Sequence, residues 1–557
     1  MEPRRIVLAV VLMAAVLLVT PYLFPTTQQA PVAKKPTADS LTTGVSSAAT
    51  ASTPTMGAAA TDSTGAPIAA AVAPVLVPID TAVVSTTVAD YRTTNKGAAL
   101  IGASLTQFQA LSNGGRTRSG TVELGLPNER MLGFRLVVPG DTIDLTRQVF
   151  RSAQSQDGAN TVVQYDADLA GKTVSISYSF RPDSYRVDVS AAVAGVPENS
   201  YLLVDLPPGF RSSESDTTED HSHLAYAYKP ELSGAEGIAF RSLDPGEREI
   251  EAGPITWGVA KNKYFILGVL APKGGTQFAE INVTGGDRIN DEAVRGHATL
   301  VTPLKAGNAA FEVYIGPQEF KRLVALGREF ETSNPYGGWI QGIVQPFATM
   351  VIKLLLWMKT TLGVSYGWIL VIFGVTIRIV LWPLNQKAMR SSMQMQRIQP
   401  EMQAIQTRYK SDPQKLQAAM MELYKEHGMS PFSSLSGCLP MLIPLPVFFA
   451  LFFVFQNTIE FRGVPFLWFP DISVKDPYYI IPILVAATTL LMSWIGMRGT
   501  KVGDQQKMMM YLMPGMMLVF FFSMASGLNL YYFIQNLASL PQQWLIARER
   551  SKPVIKG

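Results

Sequence analysis

Apolar residues are concentrated at the two ends of the chain, and the first block, residues 6–24, contains no charged residue. A helix needs about 20 such residues to cross about 30 Å of hydrocarbon, so the block predicts a membrane anchor over residues 1–25. A cleaved signal peptide is the alternative, but the block ends in Pro-Tyr-Leu-Phe-Pro rather than in the small residues of a cleavage site. Arg4 and Arg5 precede the block and predict a cytoplasmic N-terminus.

Residues 26–80 consist almost entirely of Ala, Thr, Ser, Pro, Gly and Val, with few charges. Large apolar side chains are nearly absent, so this stretch cannot bury enough surface to offset the entropy that folding would cost. We therefore predict a disordered linker that tethers the anchor to the rest of the chain.

Between residues 81 and 330 the apolar pattern has a period of two, which is typical of strands with one buried face. Apolar and polar residues alternate over 174–180 and again over 185–189, with a Pro-Asp-Ser turn between the two runs. Similar short runs, separated by Gly, Pro, Asn and Asp, lie at 82–91, 132–138, 264–270 and 311–315. These features predict a β-sandwich domain. A short helix is predicted over 318–330, leading back toward the membrane.

Beyond about residue 336 the apolar spacing becomes helical. Residues 336–360 predict an amphipathic helix in the membrane interface, because Gln341, Gln345 and Lys353 lie away from its apolar face. Five later apolar segments are long enough to span a bilayer: 365–385, 435–457, 478–497, 508–524 and 528–547. They predict an α-helical membrane core of five spans, separate from the N-terminal span.

The loops between these segments differ in charge. Residues 386–432 carry seven Lys and Arg, residues 498–507 carry three and the tail from residue 548 carries four, whereas residues 458–477 carry two. With six spans the basic loops and both termini share one side, which the positive-inside rule makes cytoplasmic. The chain is therefore predicted to be a multi-pass membrane protein with a basic cytoplasmic tail, 548–557, and a periplasmic β-domain.

The basic loop at 386–430 has a helical pattern that is broken at 411–413 and ends at 427–428, so it predicts a cytoplasmic helical hairpin. Its methionines could form a soft surface for varied apolar segments, or they could pack the hairpin against itself, and both interpretations stay open. The residues concerned are Met389, Met393, Arg397, Met402, Met420 and Met421.

Composition supports a membrane protein with a soluble insert, since 47% of the residues are hydrophobic and 16% are charged. The net charge of +4 is small and gives no nucleic-acid footprint. The single cysteine, Cys438, excludes an intramolecular disulfide framework. Because no serine elbow, phosphate-binding glycine loop or dinucleotide motif occurs, we predict no catalytic site.

The residues Glu219, Asp220, His221 and His223 include metal-ligand types close together in the sequence. The simpler interpretation is a solvated acidic loop that contains two histidines. We therefore predict no metal site.

Arg378 stands inside the predicted span 365–385, where a guanidinium costs from about 2.5 to more than about 10 kcal/mol. It must face water or a partner, and no Asp or Glu lies in the other spans. One interpretation is that Arg378 reaches the interface from near the helix end. The other is a hydrated cavity, open to the cytoplasm, that Arg378 lines together with Thr376, Gln535 and Asn536.

Five segments occur in the order found in the YidC family of membrane protein insertases: VTIRIVLWPLNQKAM, LYKEHGMSP, GCLPMLIPLPVFFALFF, DPYYIIPIL and SGLNLYYFIQNL. Residues 336–548 resemble that family's core. The segments KYFILGVLAP and YIGPQEFKRL resemble the periplasmic β-super-sandwich of its Gram-negative members. The resemblance implies a bacterial inner-membrane protein that inserts and folds client membrane proteins, without a cofactor or nucleotide hydrolysis.

The resemblance also implies roles for particular residues. Arg378 would attract acidic extracytoplasmic tails of clients into a hydrophilic groove in the membrane. The third and fifth spans would form a greasy slide along which the client helix moves out to lipid. The matching contacts are Leu439, Leu442, Leu445, Phe448, Leu451 and Phe452, with Tyr532 in the sixth span. Pro444 stands where some members have a polar residue, which bears on hydration of the groove.

The implied partners are nascent membrane proteins, the lipid bilayer, the Sec translocation channel and ribosomes, without sequence-specific contact to nucleic acid. Two alternatives belong to other classes. A small-molecule or ion transporter fits an intramembrane charge, but the sequence shows no similar halves, acidic relay or broken-helix repeat. A periplasmic polysaccharide-binding or assembly module with membrane anchors leaves Arg378 and the methionine-rich hairpin unexplained.

Overall fold

The computed structural model describes residues 78–169, 171–334, 341–409, 412–427, 445–497 and 504–550. The predicted anchor over 1–25 lies outside these residues, as does the predicted linker up to residue 77. The described chain forms a sheet-rich region that is followed by a helical region.

Four strands near the start of the described chain, β1 (Thr81–Ser85), β2 (Ala89–Thr94), β3 (Ala99–Ser112) and β4 (Thr117–Glu123), form an antiparallel sheet in chain order. The single run predicted over 82–91 is wrong, because the chain turns between β1 and β2. Thr86 makes this turn, since its amide donates to the Ala89 carbonyl (2.9 Å) and its hydroxyl accepts from the Ala89 amide (3.0 Å). A side chain that bonds nearby backbone in this way competes with strand extension.

A larger antiparallel sheet contains fourteen strands within the described residues, in the order β6-β5-β11-β17-β16-β14-β15-β18-β10-β9-β8-β7, with β12 and β13 attached beside β14. Their bounds are β5 Gly133–Val138, β6 Asp141–Ile143, β7 Arg151–Asp157, β8 Asn160–Leu169, β9 Lys172–Phe180, β10 Arg186–Val193, β11 Tyr201–Asp205, β12 Ala225–Pro230, β13 Glu236–Ala239, β14 Arg248–Lys261, β15 Phe265–Leu270, β16 Phe278–Gly285, β17 Gly296–Pro303 and β18 Asn308–Pro317.

This sheet folds over at the long strand β14, whose residues 248–255 pair with β16 while residues 257–261 pair with β15 and β12. The two halves then face each other, and Phe134 of β5 packs against Tyr178 of β9 and Phe311 of β18 with ring centroids 6.4 Å apart. The hairpin predicted from the alternating pattern is confirmed as β9 and β10, which pair in antiparallel register. Its apolar positions are buried because alternate residues of a strand share a face.

One short helix lies between strands, and the other helices follow the last strand. They are α1 Thr217–Ser222, α2 Phe320–Leu326, α3 Gln341–Leu362, α4 Tyr366–Val380, α5 Trp382–Arg408, α6 Pro413–Glu426, α7 Leu445–Asn457, α8 Ile480–Met497, α9 Asp504–Phe522 and α10 Ser526–Arg550. Short 3-10 turns cover Leu145–Arg147, Phe240–Ser242, Phe330–Ser333 and Ile459–Phe461. Helix α2 lies within the helix predicted over 318–330, and the turn Phe330–Ser333 begins where that prediction ends.

The segment predicted as one span over 365–385 is divided at Leu381, since α4 ends at Val380 and α5 begins at Trp382. Pro383 lies in the first turn of α5, where amide groups have no partner within the helix, so the amide proton that proline lacks is not needed there. This proline therefore begins the next helix.

Within the described residues no single helix is both long and apolar enough to cross a membrane, and α3 with α4 passes that test only as a pair bent by 116°. The helical region nevertheless exposes many large apolar side chains: Trp357, Trp368, Ile372, Ile379, Val380, Trp494 and Val519.

The two helices α5 and α6 form the predicted hairpin and pack through Ile398, Leu423 and Tyr424. Asp412 caps α6, and its carboxylate accepts a hydrogen bond from the Lys415 amide (3.1 Å). The prediction that the pattern breaks at 411–413 is confirmed, because Asp412 and Pro413 form a strong helix-start sequence and the second helix begins at Pro413.

Candidate functional site

Arg378 lies on the last turn of α4, and its guanidinium is buried against α10 rather than extended to a helix end. Its Nη2 donates a hydrogen bond of 2.6 Å to Oε1 of Gln542, whose side chain is fully buried. The sequence-based alternative in which Arg378 reaches the interface does not describe this arrangement.

The side chain of Gln542 is itself fixed by two further bonds. Its Nε2 donates to the Trp382 carbonyl (3.3 Å) and to Oε1 of Gln386 (3.0 Å), both on α5. The amide therefore joins α4, α5 and α10 at one point. Gln542 was missed at the sequence level, although it stands seven residues after Gln535 and so lies on nearly the same helix face.

The polar residues predicted to line the site with Arg378 lie elsewhere. Gln535 donates to the Gly374 carbonyl (3.0 Å) and to the Tyr531 hydroxyl (3.0 Å), while Asn536 donates to the hydroxyls of two threonines on α8. Both amides are thus used in helix packing. Thr376 is exposed, because two residues along a helix turn a side chain by about 200° from Arg378.

The charge on Arg378 is not neutralised by any carboxylate among the described residues. Its Nε is buried and makes no hydrogen bond within the described part of the chain. A neutral amide therefore solvates the guanidinium without cancelling its charge. Such a group attracts carboxylates over several ångströms, and the attraction is strong where water is scarce.

Of the predicted slide residues on α7, Phe448 and Phe452 are half-buried, whereas Leu451 is fully buried. Phe448 of α7 packs edge-on against Tyr532 of α10 at 5.3 Å and near Phe520 of α9 at 6.2 Å, and Phe452 lies one turn further along α7. Leu451 is fully buried within the helical core, so its prediction as an accessible contact is wrong. Leu451 is inaccessible because its side chain points about 100° around α7 from that of Phe452.

Some predicted residues cannot be placed. Leu439, Leu442, Cys438 and Pro444 lie outside the described residues, and the described side chains do not include those of Leu445, Met389, Met393 and Arg397. Met402 and Met420 are half-buried against the apolar contacts of the α5–α6 hairpin, which favours the packing interpretation for these two. Met421 is exposed.

The acidic segment with two histidines is not the solvated loop that the sequence predicts. Residues 217–222 form α1, and Asp220 is buried, where it accepts from Asn262 Nδ2 (3.3 Å) and the Lys263 amide (3.2 Å). Burial, reinforced by nearby Lys263, lowers the pKa of His223 to about 3, so this side chain is neutral. Among the described residues, no group of three or more His, Cys, Asp and Glu could hold a metal ion.

Two protein families match the chain. The family described as "60Kd inner membrane protein" matches residues 357–553, and the family described as "YidC periplasmic domain" matches residues 77–350. The second match covers the sheet-rich region, and the first covers most of the helical region.

The chain is also similar to individual proteins. The membrane protein insertase YidC of Chlorobaculum parvum is 32% identical over 435 residues, which cover 72% of each chain. That of Chlorobium phaeovibrioides is 33% identical over 449 residues, covering 73% of each. A crystal structure of an active YidC insertase with its first transmembrane domain resolved matches 84% of this chain and 94% of its own, at 18% identity and a TM-score of 0.34. Because relatives at this identity span most of the sequence, the chain belongs to the YidC family, as an inner-membrane protein with a sheet-rich periplasmic domain and a helical C-terminal region.

Proposed function

We propose that this protein inserts client transmembrane segments into the bacterial inner membrane, and assists their folding, through a hydrophilic groove open to the cytoplasm and an adjoining apolar slide. Relatives at 32% and 33% identity are membrane protein insertases. The observation that carries the proposal is the buried Arg378 guanidinium, which is held by the neutral side chain of Gln542 and keeps its charge.

The physical problem is the transfer of a polar client tail across about 30 Å of hydrocarbon, where backbone and charged groups lose their water. A polar recess within the helical region shortens the apolar distance that the tail must cross. In this proposal the recess is lined by Arg378 and Gln386, and the buried Gln542 holds Arg378 in place, whereas Thr376, Gln535 and Asn536 lie outside it. An acidic tail is drawn toward Arg378 by the uncompensated positive charge.

The client helix needs an apolar surface beside this recess. Phe448, Phe452 and Tyr532 supply aromatic side chains that are half-buried and mutually packed at the junction of α7, α9 and α10. Leu439, Leu442 and Leu445 continue the proposed slide along the third span. Burial of the client helix in lipid, at about 25 cal/mol per Å², then drives its release.

The remaining expectations belong to the same proposal. The 116° bend between α3 and α4 supports an α3 that lies along the interface when α4 crosses it. Six spans with both termini in the cytoplasm, a hairpin that contacts clients through Met421, and cooperation with the Sec channel and ribosomes stay predictions. A transporter remains the alternative, and no contact among the described residues favours it.

Site-specific photocrosslinking to a nascent client tests the proposal. A photoreactive amino acid is placed at Phe448 or Phe452, at the buried Leu451 as a packing control, and at Trp494 as a control on an exposed apolar face of α8. We expect crosslinks from Phe448 and Phe452, and about tenfold fewer from Leu451 and Trp494, because general lipid exposure does not create a client path.

Equal crosslinking from Trp494 and Phe448 would mean that clients meet the helical region without a defined slide. A complete lack of crosslinks, with an active chain in the same membranes, would contradict direct contact between the client and the slide and would favour the transporter alternative.

A further inference from the structure

At one contact between the periplasmic β-domain and the helical region, each region inserts an apolar side chain into the core of the other. Ile459, in the loop that follows α7, is buried within the core of the β-domain. Phe320, in α2 of the β-domain, packs in return against the core of the helical region. Glu460 joins the two, because its Oε1 accepts a hydrogen bond from the Phe320 amide (3.1 Å). Interfaces with mutual apolar insertion resist sliding and separation.

A buried ion pair lies beside these residues. Arg462 Nε and Glu214 Oε1 are 2.7 Å apart, and their side chains are only 6% and 8% exposed. Arg462 also donates to the Gln109 carbonyl (2.9 Å) and lies 5.5 Å from the centre of the Phe265 ring. A single loop arginine is therefore surrounded by three separate segments of the β-domain.

Burial raises the pKa of Glu214 to about 7 even though Arg462 opposes the shift. The two groups are partners by their distance, and the cost of taking both charges out of water offsets much of their attraction. The pair therefore fixes geometry more than it adds net stability, and removing one partner leaves a buried charge alone.

Further bonds hold the same loop along its length. The Arg118 guanidinium on the β4 strand donates to the Gly463 carbonyl (2.6 Å), and the buried Tyr264 hydroxyl donates to the Ser473 hydroxyl (3.0 Å). Lys475 pairs with Asp216 at 3.2 Å. The loop between α7 and α8 thus lies against the β-domain at both ends.

The loop is bonded in turn to the start of α10. The Gly527 amide donates to the Ile472 carbonyl (2.8 Å), and the Ser526 hydroxyl donates to the Val474 carbonyl (2.9 Å). Helix α10 carries Gln542, which holds Arg378. A continuous set of contacts therefore runs from the β-domain through the loop to three helices, α7, α8 and α10.

We propose that the β-domain positions the extracytoplasmic ends of α7, α8 and α10 by holding the loop at 458–476, with Arg462 as the positioning residue and Glu214 as its partner. This inference rests on the proposed function and gives the periplasmic domain a task within it. The domain sets the relative placement of the slide on α7 and of Gln542 on α10, without touching the client.

The test compares Glu214→Ala with Glu214→Gln in the full-length chain. Alanine leaves the Arg462 charge buried without a partner, whereas glutamine keeps an oxygen acceptor at the same place. Amide hydrogen exchange at 462–476 reports loop docking, and insertion of an acidic-tailed client in cells depleted of the native protein reports function. Asp168→Ala, which removes the carboxylate of an exposed ion pair with Arg151, is the matched charge control.

We expect Glu214→Ala to raise exchange in the loop about tenfold and to reduce insertion about threefold, while Glu214→Gln and Asp168→Ala stay within about twofold of the native chain. Exchange in β9 and β10 should not change, because the domain remains folded. If Glu214→Ala unfolds the domain, Arg118→Ala, which removes only the bond to Gly463, should raise loop exchange about threefold with a parallel loss of insertion.

Two results would overturn the inference: unchanged loop exchange in the folded alanine variants, or raised exchange with native insertion. Either leaves the proposed function intact. Failure of the native chain itself to support insertion in the depleted cells would instead contradict the proposed function, whatever the loop exchange.

Discussion

Replacing Arg378 by alanine separates charge attraction from structural support. The substitution removes a charged hydrogen bond to Gln542, which contributes about 1.5–3 kcal/mol. It also removes a buried, unneutralised guanidinium, whose desolvation costs several kcal/mol. Because these two effects oppose each other, we expect the variant to fold and to accumulate at close to the native level.

The effect on clients should be larger. A client carboxylate about 8 Å from the guanidinium gains about 2 kcal/mol at an effective dielectric constant near 20, which corresponds to about a 30-fold change in occupancy. Arg378→Lys keeps the charge but loses the planar donor arrangement, so it should retain most insertion of the same client.

The assay is depletion of the native insertase and complementation by each variant, with protease accessibility of the client tail on the periplasmic side as the readout. Each client is tested with its acidic tail and with the acids changed to amides. Arg378→Ala should slow only the acidic form, whereas Thr376→Ala, on the exposed side of α4, should slow neither. Equal loss for both tail types would show that Arg378 acts on structure, and no loss for either would remove the electrostatic step.

Three further predictions concern other groups. Gln542→Glu places a carboxylate 2.6 Å from the Arg378 guanidinium, so it should block acidic-tailed clients as strongly as Arg378→Ala while leaving protein level unchanged; native insertion rates would contradict this. His223 has a folded pKa of about 3 and an unfolded value of about 6.5, so its contribution to stability is complete above pH 6.5 and is lost toward pH 3. We expect the unfolding free energy of the native chain, measured by circular dichroism relative to that of His223→Gln, to fall by about 1.4 kcal/mol for each unit that the pH is lowered within that window. Tyr178→Phe leaves the buried Ala98 carbonyl without its 2.7 Å donor and should cost the β-domain about 1–3 kcal/mol in denaturant titration, whereas a change below about 0.3 kcal/mol would mean that the bond is replaced.

The sequence was most informative where one physical rule acts alone. The alternation at 174–180 predicts β9 correctly because every second side chain must be buried in one layer. It failed at Thr86, where a hydroxyl that accepts from the Ala89 amide ends a run that looks continuous. The spacing of apolar residues can be seen in the sequence, but whether a side chain bonds to nearby backbone depends on the local conformation.

The candidate site shows a second limit. Arg378 stood out because a guanidinium in an apolar helix needs a partner, yet the partner depends on which faces of α4 and α10 meet. Gln542 lies next to Gln543 inside the predicted span 528–547, and the sequence alone does not show which of these amides faces α4. Arg462 was counted only as one of two basic residues in a loop, because its burial arises from docking of the β-domain.

The identity of the residue at 542 follows from what Arg378 must do in the proposed mechanism. A glutamate there would compensate the buried guanidinium fully, but it would also cancel the field that an arriving carboxylate senses. An apolar residue would leave the field but give Nη2 no acceptor, at a cost of about 1–3 kcal/mol or more for a charged donor. Glutamine meets both requirements, since its oxygen accepts from Arg378 while its nitrogen is held by Gln386 and the Trp382 carbonyl. A neutral but oriented partner is therefore the choice that keeps a membrane-buried cation both stable and available.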